Sequence, residues 1–276
     1  MQIQVLGCAG AIAQGAYTSA FLLDQAIALD AGTGLGQLPL AQMLQIDHIF
    51  ISHAHLDHIA ALPLFLDSVM ASRSQQQRQP VRVYGLAATL HSLRKHIFNR
   101  EIWPDFTVLP TSAAPVLELI PVQLGQTIAF SDLPYQIEVM PAEHSIPSVG
   151  YAVRPFAGAA ALVYTGDTGP NPKLWQRLAH MAVAGLILET AFSNHDAALA
   201  RAALHLSPSS LAHELRQIAP DSSYPIYLTH AKPAQAQHIQ AEVAQLAAQD
   251  PALATLLASH PLQHLQCGQI IGLQDS

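Results

Sequence analysis

Six consecutive residues constrain this chain most: His53-Ala54-His55-Leu56-Asp57-His58, placed directly after the apolar run His48-Ile49-Phe50-Ile51-Ser52. The run reads as a short buried strand, and an apolar helical stretch follows from about His58 to Met70. In an extended segment side chains two apart point the same way, so His53 and His55 can grip one ion. As the chain turns into the helix, Asp57 and His58 are placed to reach a second. Neutral imidazoles and carboxylates are ligand types that zinc, manganese or iron accept. A histidine-rich surface turn would explain one such histidine. It explains poorly four potential ligands in six residues behind a buried strand.

Further candidates stand where the chain leaves other predicted strands. His144 follows a strand at 135–140, Asp167 follows one at 160–164, and His230 follows one at 225–229. Each is ambiguous alone. Asp167, in Gly-Asp-Thr-Gly, also suits a simple turn, and His230 suits a satisfied half-buried histidine. Taken with the first motif they complete two coordination spheres: His53, His55 and His144 around one ion, Asp57, His58 and His230 around the other, with Asp167 bridging.

The rest of the chain is compatible with a large core. Half of its 276 residues are apolar and 11% are charged, which excludes a disordered chain. We expect one domain over 1–276, since no repeat or linker divides it. Strands are predicted at 2–6, 19–23, 26–30 and 81–84, with a tight turn at Asp24-Gln25, then at 116–120, 149–154 and 185–189. Helices are predicted at 87–98, 172–180, 195–203, 208–219 and 234–248, and a final strand or hairpin at 262–273. Residues 71–80 read as an exposed loop or helix end. Strand-rich at first and alternating later, this order suits an α/β arrangement of packed sheets with helices outside. A net charge of -7 argues against a surface for long nucleic acids, which needs clustered Lys and Arg. Six of the twelve basic residues (Arg73, Arg78, Arg82, Arg94, Lys95 and Arg100) share one stretch, read as a solvated helical face. Cys8 and Cys267 lie at opposite ends of the chain and read as small buried apolar groups. Apart from His205, the other nine histidines read as surface or packing residues. The N-terminal strand pattern lacks a basic signal region, and no apolar run reaches the ~18 residues of a membrane span, so a cytoplasmic protein is expected.

His53 to His58, the lone His144, Asp167 in Thr-Gly-Asp-Thr-Gly and His230 in Thr-His-Ala-Lys-Pro resemble the ordered motifs of the metallo-β-lactamase superfamily. Leu29-Asp30-Ala31-Gly32 is similar to that superfamily's early motif, in which the Asp orients a ligand histidine from behind. The resemblance runs from about residue 5 to 233. It implies a four-layer αββα sandwich of two mixed sheets with helices outside. Asp57, and Asp167 where β-lactamases commonly carry Cys, resemble the two-metal branches, which include glyoxalase II, the tRNA 3′-processing endonuclease and cyclic-nucleotide phosphodiesterases.

A narrower likeness comes from Glu189-Thr190-Ala191-Phe192-Ser193-Asn194, His205-Leu206-Ser207-Pro208 and His230-Ala231-Lys232-Pro233. With His53–Ile59 these resemble the class II 3′,5′-cyclic-nucleotide phosphodiesterases. Ala61 departs from that family's usual Gly or Ser, and Pro63 from its usual aliphatic residue. Leu62-Pro63 is similar instead to a step of the tRNA-processing enzymes. The resemblance implies two divalent ions, zinc first and manganese or iron as alternatives, and a small anionic substrate, a cyclic nucleotide. No long nucleic acid and no membrane is expected as a partner, and a homodimer is left open. By the same resemblance His205 is the candidate general acid, with Glu189 orienting it and Asp167 in the catalytic core. His205 also fits a contact at a helix start before Ser207-Pro208, and Lys232 fits a solvated lysine as well as a phosphate contact. Two rival functions remain: another hydrolase of this fold, acting on RNA, a thioester or a lactone, and a metal-bearing binding protein without turnover.

Overall fold

Strands alternate their faces, and in this chain both faces of the strands are apolar, which calls for layers on either side. The computed structural model describes residues 1–272; position 273, the last of the predicted tail, lies outside the described residues. The strands are β1 (Gln2–Gly7), β2 (Ala20–Leu23), β3 (Ile27–Leu29), β4 (His48–Phe50), β5 (Val81–Leu86), the short hairpin β6 (Pro110–Thr111) and β7 (Ala114–Pro115), and β8 (Leu117–Val122). They continue with β9 (Thr127–Ala129), β10 (Gln136–Pro141), β11 (Val149–Arg154), β12 (Ala161–Tyr164), β13 (Val183–Glu189), β14 (Ile226–Thr229), β15 (Leu262–His264) and β16 (Ile270–Gly272). Two seven-stranded sheets result, ordered β16-β1-β2-β3-β4-β5-β8 and β15-β14-β13-β12-β11-β10-β9. Each is mixed, antiparallel over one half and parallel over the other.

Three apolar layers follow from the alternation. In β2, Phe21 and Leu23 face the other sheet, while Ala20 and Leu22 face the outer helices. Between the sheets Phe50, Tyr151, Tyr164 and Ile187 pack with them. Outside the first sheet lie α1 (Leu40–Met43), α2 (Leu56–Ile59), α3 (Leu62–Gln75) and α4 (Ala87–His96), with Phe65, Leu66 and Leu93 buried. Outside the second lie α5 (Pro172–Leu178), α6 (Ala197–Ala202), α7 (Pro208–Leu215), α8 (Ala236–Gln249) and α9 (Pro251–Ser259), with Trp175, Leu211 and Ile239 in its core. This is the four-layer αββα sandwich expected from the motifs. None of the described helices is long and apolar enough to cross a membrane.

Several local expectations are corrected. The tail is neither one strand nor a hairpin: β15 extends the second sheet parallel to β14, while β16 pairs antiparallel with β1 in the first. The helix expected from His58 is two helices, because Pro63 starts a new first turn in α3. α9 was missed although its start is legible, since Asp250 caps Ala252 N and Leu253 N and Pro251 opens the helix. The basic stretch is not wholly solvated. Arg73 is buried, donating from Nη2 to Asp47 Oδ1 and Gln79 O, both at 2.6 Å, and Arg78 shares the same carboxylate. Nor are the cysteines buried apolar groups: Cys8 is half-buried and Cys267 exposed.

Candidate metal centre

β12, β13 and β14 run parallel, so their C-terminal ends open on one edge of the second sheet. Asp167 follows β12, Glu189 ends β13 and His230 follows β14. His144 leaves β10, and the 53–58 segment leaves β4 in the facing sheet. The structure thereby collects His53, His55 and His144 into one group, and Asp57, His58, Asp167 and His230 into another, the donor atoms of each lying within 4.8 Å of one another. Tight backbone approaches make this possible. Gly10 backs His230 so closely that a Cβ would sit 2.4 Å from its carbonyl oxygen, and Gly166, at φ +61°, lies against Ser52. Asp30 and His230 themselves adopt left-handed backbone, at φ 58° and 68°.

In the first group the tautomers can be deduced. His144 Nδ1 lies 3.1 Å from the Leu204 carbonyl and must donate, which leaves its Nε2 a lone pair. His53 Nδ1 lies 3.0 Å from Ser52 Oγ, whose own proton goes to Asp30, so His53 also carries its proton on Nδ1. The Nε2 lone pairs of His53 and His144 therefore both face His55 Nδ1, at 3.0 and 3.1 Å. One proton cannot satisfy both approaches; a cation can.

In the second group Asp167 Oδ2 lies 3.2 Å from Nε2 of both His58 and His230, and Asp57 Oδ2 lies 3.7 and 3.5 Å from the same two nitrogens. The Asp167 oxygen also stands 3.7 Å from His53 Nε2 and 4.0 Å from His144 Nε2, so it touches both groups. His58 Nε2 is buried without a well-formed hydrogen bond. Burial pushes His53 well below the usual histidine range, lowers His55 and His144, and takes His230 down to about 4. Those rings are neutral near pH 7, as ligands must be. Burial also disfavours a charge on Asp167, but His230 and His58 outweigh it and hold the carboxyl well below its ordinary range. On His58 the carboxylates of Asp167 and Asp30 likewise outweigh burial and raise the imidazole. Facing lone pairs, an orphaned buried nitrogen and the ionised Asp167 beside Asp57 together fit a pair of divalent cations.

The remaining predicted residues stand around this cluster. His205 Nδ1 donates to Glu189 Oε1 at 2.6 Å, and His205 also groups with His144 and Asp167 within 4.8 Å. Burial works against a charged His205, but the buried Glu189 carboxylate outweighs it and raises the imidazole. The helix-start contact is also present in part, since Leu206 N donates to Glu189 Oε2 just before the Ser207 cap of α7. Lys232 is not freely solvated: its Nζ donates to Gly10 O at 3.3 Å and stands 5.0 Å from the Phe192 ring centre. Asp30 lies behind His58, 2.7 Å from its Nδ1. Ser52 and Tyr164 were not foreseen, yet both donate to Asp30, at 2.8 and 2.6 Å. Ser52 directly precedes the motif, and the alternation of β12 turns Tyr164 inward with Leu162; only the pairing of the sheets makes them neighbours of Asp30.

Comparison with known proteins agrees with this geometry. A probable 3′,5′-cyclic-nucleotide phosphodiesterase of Yersinia pestis is 27% identical over 209 residues, covering 68% of this chain and 57% of that protein. A 3′,5′-cyclic-nucleotide phosphodiesterase of Aliivibrio fischeri is 29% identical over 186 residues, covering 62% and 53%. The chain thus spans little more than half the length of these curated relatives. Among solved structures, unliganded yeast PDE1 superposes with a TM-score of 0.80 at 20% identity over 98% of both chains, a likeness of fold. Residues 25–230 match the family described as "Beta-lactamase superfamily domain", a span that includes every residue of the two donor groups, and the chain accordingly belongs to the metallo-β-lactamase superfamily.

Proposed function

We propose that this protein is a two-metal phosphodiesterase that opens a 3′,5′-cyclic nucleotide to the 5′-monophosphate. The observation that carries the reading is the hydrogen-bonded His205–Glu189 pair at the edge of two donor groups that share Asp167. His53, His55 and His144 would hold one ion and Asp57, His58 and His230 the other, with Asp167 between. Zinc suits this donor set first, manganese or iron next. When bound, such a pair supplies positive charge for the phosphoryl oxygens and lowers the pKa of water.

The chain's own residues account for the leaving group. Water adds to phosphorus, the bond from phosphorus to the 3′-oxygen breaks, and that oxygen needs a proton because an alkoxide leaves poorly. Glu189 occupies His205 Nδ1, so Nε2 is the nitrogen left to deliver it. Asp167, held ionised by its histidine neighbours, offsets part of the cationic charge, leaving a site suited to a monoanionic phosphodiester. Lys232, held between Gly10 and Phe192, keeps donors for a phosphate oxygen. The names of the Yersinia and Aliivibrio relatives support the substrate class. A net charge of -7 favours a small anion over a long nucleic acid, and two free thiols suit the cytoplasm.

The test is a substrate panel on zinc- or manganese-loaded protein: cAMP, cGMP, bis(p-nitrophenyl) phosphate, a tRNA precursor, a lactone and a glutathione thioester. The expected result is turnover of a cyclic nucleotide with the 5′-monophosphate as product. Good activity on another ester with none on cyclic nucleotides would overturn the substrate class and leave the two-metal hydrolase standing.

A further inference from the structure

We propose that Ser52 is a positioning residue that carries the hold of the buried Asp30 carboxylate across to His53. One carboxylate, pinned from the opposite sheet by Tyr164, then sets the tautomer of a ligand histidine in each donor group. The inference rests on the two-ion reading above.

Asp30 follows β3 directly and is completely buried. Its Oδ1 accepts the Ser52 backbone N–H at 2.7 Å. Its Oδ2 accepts from Ser52 Oγ at 2.8 Å, His58 Nδ1 at 2.7 Å and Tyr164 OH at 2.6 Å. The Ser52 N–H and the two hydroxyls donate to these oxygens, and the imidazole N–H makes the fourth bond. His58 therefore holds its proton on Nδ1, and its Nε2 faces Asp57 and Asp167. Ser52 has a single hydroxyl proton and gives it to Asp30. Its oxygen is then an acceptor for His53 Nδ1 at 3.0 Å, which turns His53 Nε2 toward His55 and His144. Asp30 thus acts directly on the second group and through one hydroxyl on the first.

Tyr164 closes the arrangement. It ends β12 in the second sheet, three residues before Asp167, and its hydroxyl crosses the sandwich to a carboxylate of the first sheet. The strand end that supplies the shared carboxylate is thereby tied to the residue that orients the histidines. Outer partners of this kind fix ring orientation and raise ligand basicity, and their loss weakens metal binding by roughly 10–100-fold.

Two substitutions separate the paths. Ser52→Ala removes the acceptor for His53. Of the contacts to His58 Nδ1 it gives up only the longer 3.4 Å approach of Ser52 Oγ, keeping the 2.7 Å bond to Asp30, which the residue 52 backbone N–H and Tyr164 still hold. It should weaken the site of His53, His55 and His144 by roughly 10–100-fold and the other site far less. Tyr164→Phe removes a donor common to both paths and should weaken both sites alike. The readouts are zinc affinity by chelator competition, occupancy at each site by anomalous diffraction, and the thermal midpoint of the metal-free variants as a check on folding.

Long-range proton–nitrogen spectra of the imidazoles in the zinc-loaded wild type test the tautomers without any variant. His53 should show a protonated Nδ1 and a zinc-bound Nε2. A His53 bound through Nδ1, or a Ser52→Ala protein that folds and loses both sites equally or neither, would overturn the proposal while the two-ion reading survived. Wild type that takes up fewer than two ions per chain would overturn both.

Discussion

His205 Nδ1 lies 2.6 Å from Glu189 Oε1, and the same carboxylate accepts the backbone N–H groups of Thr168, Ala191 and Leu206. Glu189 is completely buried and joins the ends of β12 and β13 to the segment that carries His205. The imidazole is therefore held by a group that cannot turn away. That is the condition for delivering a proton along one direction, and it makes the role of His205 testable by leaving-group chemistry.

His205→Ala should lower turnover of the cyclic nucleotide by roughly 10²–10⁴, the usual worth of a general acid. Bis(p-nitrophenyl) phosphate should suffer far less, because p-nitrophenolate departs without a proton. Steady-state rates on both substrates, with metal content measured in parallel, decide the matter. Equal losses would make His205 structural, and loss of metal would make it a ligand, as its grouping with His144 and Asp167 permits.

An acid acts only while protonated. Because Glu189 raises the His205 imidazole, activity should persist above the ordinary histidine value of 6.5 and fall as pH rises through the raised one. Glu189→Gln removes the negative charge and leaves burial dominant, so the alkaline limb should move to lower pH. A pH profile of kcat/KM for both proteins checks the sign; an unmoved limb would detach it from His205.

The two donor groups should lose metal separately. His144→Ala should empty mainly the site of His53 and His55, and His230→Ala mainly that of Asp57 and His58, as read by anomalous diffraction. An ion that binds only the folded chain stabilises it by about 2.7 kcal/mol at a hundredfold excess over Kd, so two ions contribute about 5 kcal/mol. For a chain of this size, stripping both should lower Tm by roughly 10–20 °C, measurable by calorimetry with and without chelator.

Arg73 offers a test away from the site. Its buried guanidinium serves Asp47 and the carbonyls of Ile46 and Gln79. Arg73→Ala should cost about 3 kcal/mol, the lower end for breaking a buried pair, because Arg78 still serves the partly exposed Asp47. Arg78→Ala should cost under about 1 kcal/mol. Urea unfolding of the two variants would expose the asymmetry, and equal costs would refute it.

Cys267 should alkylate faster than an ordinary thiol. The neighbouring Cys8 thiol lowers its pKa to about 6 against the cost of desolvation, and the same proximity pushes the Cys8 thiol up. Iodoacetamide labelling followed by peptide mass should find Cys267 modified first, with a rate that has already levelled off at pH 7. Labelling of Cys8 first would contradict this.

The sequence by itself determined the local chemistry of the site. His53 to His58 are neighbours in the chain, so the alternation of an extended segment and the turn into a helix place them whatever the remainder does. The strands that precede His144, Asp167 and His230 were legible from apolar runs for the same local reason. Tertiary structure alone decided what meets across the two sheets. No spacing relates Tyr164 to Asp30, 134 residues apart, or Gly10 to the back of His230, because neither contact exists until the sheets stack. The tail shows the same division: a short apolar segment can pair with any free strand edge, and only the finished sandwich leaves one edge at β14 for β15 and another at β1 for β16. Periodicity records which way a side chain points along its own strand; which partner it reaches is settled by the packing of layers that no local pattern encodes.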